Sequence, residues 1–185
     1  MGHLKKATNI LLCFVLLLCM IFTASADEFE NEVVFTGAKV LSVQTLTHEA
    51  ADALLMETIS ASGEGIATYG YTVPTEEFDL SYKESYYFEA DTTKTAIYSN
   101  YYFTGHNGKL DFDFFIGSNS GDGDFILRVF KKGWKNTKVY DVGVPRLVHQ
   151  TVTARGFEST DKVYFVIIPD GTRTVLNEGT RIKAT

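Results

Sequence analysis

KLDFDFFIGSNSGDGDFILRVF, residues 109–130, is the stretch that decides the fold class of this chain. In its first half, apolar side chains at even positions from 110 to 116 alternate with Asp111 and Asp113. The second half, DFILRVF, alternates in the same way. A period of two residues is typical of β-strands that bury one face. Because the intervening SNSGDGD is rich in turn residues, the two strands are predicted to pair as a hairpin.

Most of the remaining sequence predicts further strands. Segments rich in Tyr, Phe, Val, Ile and Thr recur between turns that contain Gly, Asn and Asp. KVYFVII, residues 162–168, is apolar on both faces, as the central strand of a sandwich would be. Weaker strand patterns occupy residues 32–43 and 66–73, before Pro74.

One segment has helical periodicity instead. THEAADALLMETIS, residues 47–60, begins with Thr47 as a candidate N-cap and places apolar side chains at positions 51, 54, 55 and 59 on one side. This pattern predicts one short helix near residues 48–59. The predicted fold class is therefore all-β and mostly antiparallel, a two-sheet β-sandwich of jelly-roll-like type with one short helix.

The first 26 residues have the layout of a secretory signal peptide. Lys5 and Lys6 precede an uncharged apolar run at residues 10–22, and the small residues Ala24 and Ala26 fit cleavage after Ala26. The apolar run is shorter than the roughly 20 residues that span a bilayer, so a retained anchor is the weaker alternative. The chain is therefore predicted to be secreted, with an extracellular location.

The positions of the cysteines indicate the kind of organism from which the protein comes. Both cysteines of the chain lie within the predicted signal peptide. Because small secreted animal proteins usually depend on disulfides, a cysteine-free mature chain favours a bacterial exported protein.

Residues 27–75 are interpreted as an N-terminal arm, or as the first strands plus the short helix, and residues 76–185 as the β-sandwich. Residues 27–185 are expected to form one domain.

Asn119, Asp122 and Asp124 offer oxygen ligands of the kind that calcium prefers. The helical calcium loop, however, needs Gly at its sixth position and Glu at its twelfth. Counting from Asn119 gives Asp124 and Phe130 at these positions, and counting from Asp122 also fails. The segment is therefore interpreted mainly as a turn, with calcium coordination as the alternative and no other cofactor predicted.

No sequence template for catalysis is complete. HEAAD, residues 48–52, has Asp52 where the zinc motif needs a second His, and GSNSG, residues 117–121, has Asn119 where a serine elbow needs Ser. The three histidines of the mature chain, His48, His106 and His149, belong to no local cluster. These observations predict a protein that is not an enzyme, although a site assembled from distant strands stays open.

Aromatic side chains point to ligand binding. They form 14% of the chain, which is enough to leave some outside the core. Trp134 lies in the polar turn KKGWKN, where a place in the core is hard to arrange, and it is the leading candidate for stacking on a sugar. Tyr101 and Tyr102 are adjacent, so only one of them can face the core. These three residues are predicted to bind a ligand, with packing as the alternative.

The charge of the chain limits its partners. Its formal net charge of −6 argues against nucleic acid and, after removal of the signal peptide, against an anionic membrane surface. Basic residues concentrate in RVFKKGWKNTK, residues 128–138, which is interpreted as the solvated end of a hairpin.

Several short motifs follow one another within residues 85–185. In order they are Gly108 and Leu110, then Asp122 and Asp124 with Ile126 and Leu127, then Val163 and Tyr164. This succession resembles small bacterial exported β-sandwich domains of the pre-peptidase C-terminal type. The resemblance implies a non-catalytic domain that accompanies secreted enzymes and sometimes binds calcium. The enzyme domain of that pattern has no counterpart in these 185 residues.

Together these features predict a non-catalytic secreted β-sandwich that binds a carbohydrate or protein ligand at or outside the cell surface. The alternative is a small secreted hydrolase or enzyme inhibitor with a site assembled from distant strands. A histidine beside a carboxylate would favour the hydrolase. A rigid exposed loop would favour the inhibitor, and the candidates are residues 117–124 and 131–138.

Overall fold

The computed structural model describes residues 32–61 and 73–185 of the chain. The predicted signal peptide, residues 27–31 and all but the last residue of the strand pattern at 66–73 lie outside the described residues. From Glu32 onward the chain forms one compact unit. The helices are α1 (His48–Ala61) and α2 (Leu80–Lys83). In chain order, the strands are β1 (Val34–Thr36), β2 (Lys39–Leu46), β3 (Glu76–Asp79), β4 (Ser85–Tyr87), β5 (Ala90–Thr92), β6 (Ile97–Tyr98), β7 (Tyr101–Thr104), β8 (Lys109–Phe115), β9 (Asp124–Lys132), β10 (Thr137–Pro145), β11 (His149–Arg155), β12 (Lys162–Ile168), β13 (Thr174–Leu176) and β14 (Arg181–Ala184).

Two large sheets contain most of these strands. The five-stranded sheet has the order β1-β11-β8-β14-β4. The seven-stranded sheet has the order β2-β10-β9-β12-β7-β3, and β6 also pairs with β12. A third, two-stranded sheet joins β5 and β13. Most pairs are antiparallel, and β3 runs parallel to β7. The predicted fold class, an all-β sandwich-like architecture with mostly antiparallel strands and a short helix, is confirmed.

The predicted hairpin between the two halves of residues 109–130 is wrong. β8 belongs to the five-stranded sheet and β9 to the seven-stranded sheet, so the segment between them crosses the sandwich. Across the core, the rings of Phe114 and Phe125 meet edge to face with centroids 5.1 Å apart. Alternation specifies which side of each strand is buried, but it does not specify whether two strands share a sheet or face each other. The tight hairpin lies further on, between β9 and β10.

The main core lies between the two large sheets. Phe165 of β12 stacks with Phe103 at a centroid distance of 5.9 Å, and Phe112 from the opposite sheet meets it edge-on at the same distance. All three rings are buried. The even positions of β8 point into this core as predicted, with Leu110, Phe112 and Phe114 fully buried.

Helix α1 covers the outer side of the seven-stranded sheet. Its buried residues Ala51, Leu55 and Ile59 pack in a second apolar cluster with Tyr164 and Val166 of β12. This cover explains why β12 is apolar on both faces. The predicted helix and its cap are confirmed, since the backbone N–H of Ala50 donates to Thr47 Oγ1 at 3.2 Å.

An arginine that is paired with a carboxylate also holds the C-terminal end of this helix to the sheet. Arg128 on β9 donates to both carboxylate oxygens of Asp141 on β10, at 2.6 and 2.9 Å. Its Nη1 also donates to Thr58 Oγ1 of α1 at 2.6 Å. A guanidinium suits this place because its planar fork serves a carboxylate and a third acceptor together.

We expect Phe114→Ala to destabilise the fold far more than Phe115→Ala, its neighbour on the opposite face of β8. Phe114 is 0% exposed between the sheets, so its removal leaves a cavity that lowers the free energy of unfolding by about 3–5 kcal/mol. Phe115 is partly exposed, and its loss should have a clearly smaller effect. Urea unfolding of both variants measures the difference. Equal losses would contradict the assignment of the two faces.

Candidate functional site

Trp134 lies at the tip of the β9–β10 hairpin and is 93% exposed. The turn is closed by a hydrogen bond from the Gly133 N–H to the Asn136 carbonyl at 3.1 Å. His48 at the start of α1 lies against the hairpin, with Nε2 3.5 Å from the Trp134 carbonyl and Nδ1 2.9 Å from Thr137 Oγ1. The indole is therefore presented on a braced turn.

Tyr101 and Tyr102 point to opposite sides of β7. Tyr101 packs against Phe78 and Tyr86, with ring centroids 5.8 Å apart in both pairs. Tyr102 is 7% exposed in the apolar cluster beneath α1. Lys132 covers its ring at 5.2 Å and donates to its hydroxyl at 3.2 Å. Both tyrosines take part in packing, so the structure does not combine them into one aromatic platform.

The candidate calcium ligands Asn119, Asp122 and Asp124 lie on and beside the crossover between the two sheets. Arg146 Nη1 donates to the backbone carbonyls of Asp122 and Asp124 at 3.0 and 3.2 Å. The same guanidinium is paired with Asp170 at 2.8 Å, and this pairing holds the pKa of the Asp170 carboxyl well below its ordinary value. A fixed cation of the protein thus binds backbone oxygens of this segment.

The described residues bring no further metal ligands to Asn119, Asp122 and Asp124. Within the part of the chain that the structure describes, no group of three or more His, Cys, Asp or Glu side chains is placed to hold a metal ion. Calcium binding by Asn119, Asp122 and Asp124 stays a prediction.

The three histidines lie in separate environments. His48 contacts the hairpin, and His149 stacks on Phe115 with centroids 4.3 Å apart. His106 is fully buried and donates from Nε2 to the Asp161 carbonyl at 3.0 Å, while its Nδ1 accepts the Gly108 N–H. In these contacts the rings meet carbonyl, hydroxyl and N–H groups and other rings, so the contacts give no support to the hydrolase alternative.

The interpretation of residues 128–138 as a solvated basic end is wrong for two of its cations. Arg128 is largely buried in its pair with Asp141. Lys131 is 1% exposed and lies inside the sandwich, where its Nζ is 3.4 Å from Asp161 Oδ2. The interpretation fails because the tip of the hairpin begins only at Gly133, after the strand has ended.

The outward side of the five-stranded sheet, which we call the open face, carries a polar network with aromatic rings beside it. It consists of Tyr87, Asp111, Asp113, Phe115, His149, Thr151, Thr153, Arg181 and Lys183. Helix α1 packs on the seven-stranded sheet. Along β4, β8, β11 and β14, the side chains of the open face alternate with the side chains that point into the main core.

Asp113 is the centre of this network. It accepts from Thr151 Oγ1 at 2.8 Å and from Arg181 Nε at 3.1 Å, and Lys183 Nζ lies 2.9 Å away. Arg181 also donates to the Tyr87 hydroxyl at 3.2 Å and lies over its ring. Beside this row, Asp111 accepts from Thr153 Oγ1 at 2.6 Å. The network therefore runs continuously across four strands.

These contacts fix the charge states of the open face. Burial opposes ionisation of Asp113, but hydrogen bonds from Lys183, Thr151 and Arg181 outweigh it and lower the pKa of this carboxyl. The hydrogen bond with Arg181 likewise lowers the pKa of Tyr87, and the pKa of Arg181 is raised in return. The charged side chains are therefore held in place before any ligand arrives.

Two aromatic groups flank the network. On one side Tyr87 is 58% exposed, and on the other His149 lies stacked on Phe115 with the rings only 14° from parallel. From the strand register and ordinary strand spacing, Tyr87 and Phe115 are about 12 Å apart. Sequence analysis missed these residues because alternation marks them only as outward positions.

A shallow pocket adjoins the open face at Lys183 and Ser85. Its volume is about 420 Å³, and its lining includes Glu84 and Asn107. Both residues have positive φ angles, 58° and 47°. Such backbone conformations are uncommon for residues other than Gly and are often found at functional sites.

Comparison with protein-family models, curated proteins and solved structures finds no match for the chain. The resemblance to pre-peptidase C-terminal domains therefore stays a prediction. In residues 32–61 and 73–185, neither helix is long and apolar enough to cross a membrane.

We expect the stability of the protein to fall as the pH decreases from 7.5 to 5.5, in part because of His106. Burial lowers the pKa of this ring in the folded state. Below about pH 6.5 the unfolded chain therefore binds a proton more readily than the folded protein does, and the free energy of unfolding falls. The loss is at most about 1.4 kcal/mol per pH unit. The pKa of Asp113 is also lowered in the folded state. Its contribution to the free energy of unfolding is lost only as the pH falls below about 4, outside this range.

Urea unfolding at both pH values tests this expectation. His106→Gln keeps a donor for the Asp161 carbonyl but does not titrate, so its stability should depend less on pH. The control His149→Gln changes an exposed ring and should retain the wild-type slope. An unchanged slope in His106→Gln would rule out this histidine as the source.

Proposed function

We propose that this protein is a non-catalytic binding protein that is exported and binds a carbohydrate on the open face. The observation that carries the proposal is the combination of exposed aromatic rings with a fixed network of carboxylate, guanidinium, ammonium and hydroxyl groups on a sheet face that α1 does not cover. Binding needs no cofactor in this proposal, and calcium at residues 119–124 is not part of it.

The chemistry of the open face suits sugar hydroxyls, which both donate and accept hydrogen bonds. Arg181 and Lys183 supply donors, and the buried carboxylate of Asp113 holds both of them in place. The hydroxyl groups of Thr151 and Thr153 donate to Asp113 and Asp111, so their oxygens keep lone pairs that can accept. A pre-organised set of this kind loses little side-chain entropy when a ligand binds. Aromatic side chains such as Tyr87 present a broad apolar surface together with a polar tip, which suits the apolar face of a sugar ring.

Tyr87→Ala and His149→Ala should each weaken binding to a carbohydrate ligand about tenfold or more, which corresponds to about 1.4 kcal/mol. A glycan array and sedimentation with purified cell-wall polysaccharide, cellulose and chitin would identify the ligand and measure the loss.

Tyr82→Ala is the matched control, because Tyr82 is 90% exposed on α2 and has no place in the network. Its affinity should equal that of the wild type. Failure of the wild-type protein to bind any of these polysaccharides, or equal losses in Tyr82→Ala and Tyr87→Ala, would contradict the open face as a sugar site.

A second candidate function is binding of a protein partner, including inhibition of an enzyme, through the β9–β10 hairpin. It is favoured by Trp134, which is 93% exposed on a turn braced by His48. Large aromatic side chains on rigid turns are typical anchors of protein interfaces. If wild type and Tyr87→Ala retain the same protein in a pull-down from cell-surface extract and Trp134→Ala does not, the hairpin is the binding site.

A further inference from the structure

We propose that Lys131 and Asp161 become joined by an isopeptide bond, in which Lys131 Nζ is linked to the carboxyl carbon of Asp161. The chain itself would form this bond after folding. It would tie β9 to the start of β12 inside the sandwich, in a protein whose predicted mature form has no cysteine for a disulfide.

The two reacting groups are enclosed together by the fold. Phe125, Leu127 and Val129 of β9 point into the main core, and Lys131 continues this inward series. Its Nζ is 3.4 Å from Asp161 Oδ2, and the two side chains are 0% and 3% exposed. The amine therefore lies beside the carboxyl group whose carbon it would attack, and groups held together in this way have already lost much of the freedom that an intermolecular reaction would have to remove.

The energetics of burial favour a neutral product. Two opposite charges in a protein interior are costly to desolvate, and their mutual attraction offsets this cost only in part. An amide between the same two side chains carries no charge. Exclusion of water also disfavours the reverse reaction, since hydrolysis of the amide needs a water molecule at the bond.

The step balances without any further reactant. A proton first passes from the Lys131 ammonium to the Asp161 carboxylate, which gives an amine and a carboxylic acid. The nitrogen lone pair then attacks the carboxyl carbon, the new C–N bond forms, and one C–O bond breaks. That oxygen leaves as water with the acid proton and one proton of the amine, and the amide keeps the last N–H.

The surroundings of Asp161 fit this step. The backbone N–H of Glu158 donates to Asp161 Oδ2 at 2.6 Å, so it is placed to stabilise negative charge that develops on this oxygen. His106 Nε2 donates to the backbone carbonyl of Asp161, and the ring of Phe157 lies 5.2 Å from that of His106. The carboxylate thus accepts one backbone N–H, while the backbone of the same residue is held by His106.

Intact-mass measurement of the denatured, full-length exported protein tests the proposal. The wild type should be lighter than its sequence mass by one water molecule, whereas Lys131→Arg should have its full sequence mass. The comparison of the two proteins gives this loss of water wherever the signal peptide is cleaved. Lys132→Arg changes the neighbouring, partly exposed lysine and should itself retain the loss of water.

Protease digestion of the wild-type protein gives an independent readout that needs no variant to fold. A peptide that contains residue 131 joined to one that contains residue 161 would support the bond. A wild-type mass equal to that of the unmodified chain, together with recovery of both peptides unlinked, would overturn the proposal and leave a buried ion pair.

Discussion

Strand β12 is buried on both faces, and this double burial explains how the two large sheets and helix α1 are arranged. Phe165 on one side requires the five-stranded sheet opposite, and Tyr164 on the other side requires helix α1. Among the described residues, α1 is the one helix that is long enough to cover a sheet. Within residues 32–61 and 73–185, the five-stranded sheet thus has an outward face of charged and hydroxyl side chains that α1 does not cover, and the candidate site lies on that face.

Three of the charged groups that the described residues bury are held by partners of opposite charge at different places in the fold. Arg128 is paired with Asp141 under the helix, Lys131 with Asp161 at the end of the main core, and Asp113 with two cations on the open face. Buried charges without such partners would be strongly destabilising. The pair of Lys131 and Asp161 differs from the others because both side chains are almost wholly enclosed, which makes its chemistry a separate question from its contribution to stability.

The candidate site could be predicted from sequence only in part. Asp111 and Asp113 were identifiable as outward residues of β8, but nothing in the sequence places Arg181 and Tyr87 in the same row, because strand order depends on long-range pairing. Trp134 was identifiable as exposed because it follows Gly133 in a polar turn. Lys131 was misinterpreted, since a lysine near a hairpin is ordinarily solvated and its burial here depends on Asp161, thirty residues further along the chain.

Local sequence patterns specify the strand periodicity, the helix that Thr47 caps and the buried side of β8 and β9, because these features depend on neighbours within a few residues. Long-range packing places β8 and β9 in opposite sheets, α1 on the seven-stranded sheet, and Lys131 beside Asp161. These outcomes depend on which apolar faces meet across the core. Many strand orders satisfy the same local pattern, and the total packing of the chain selects one of them.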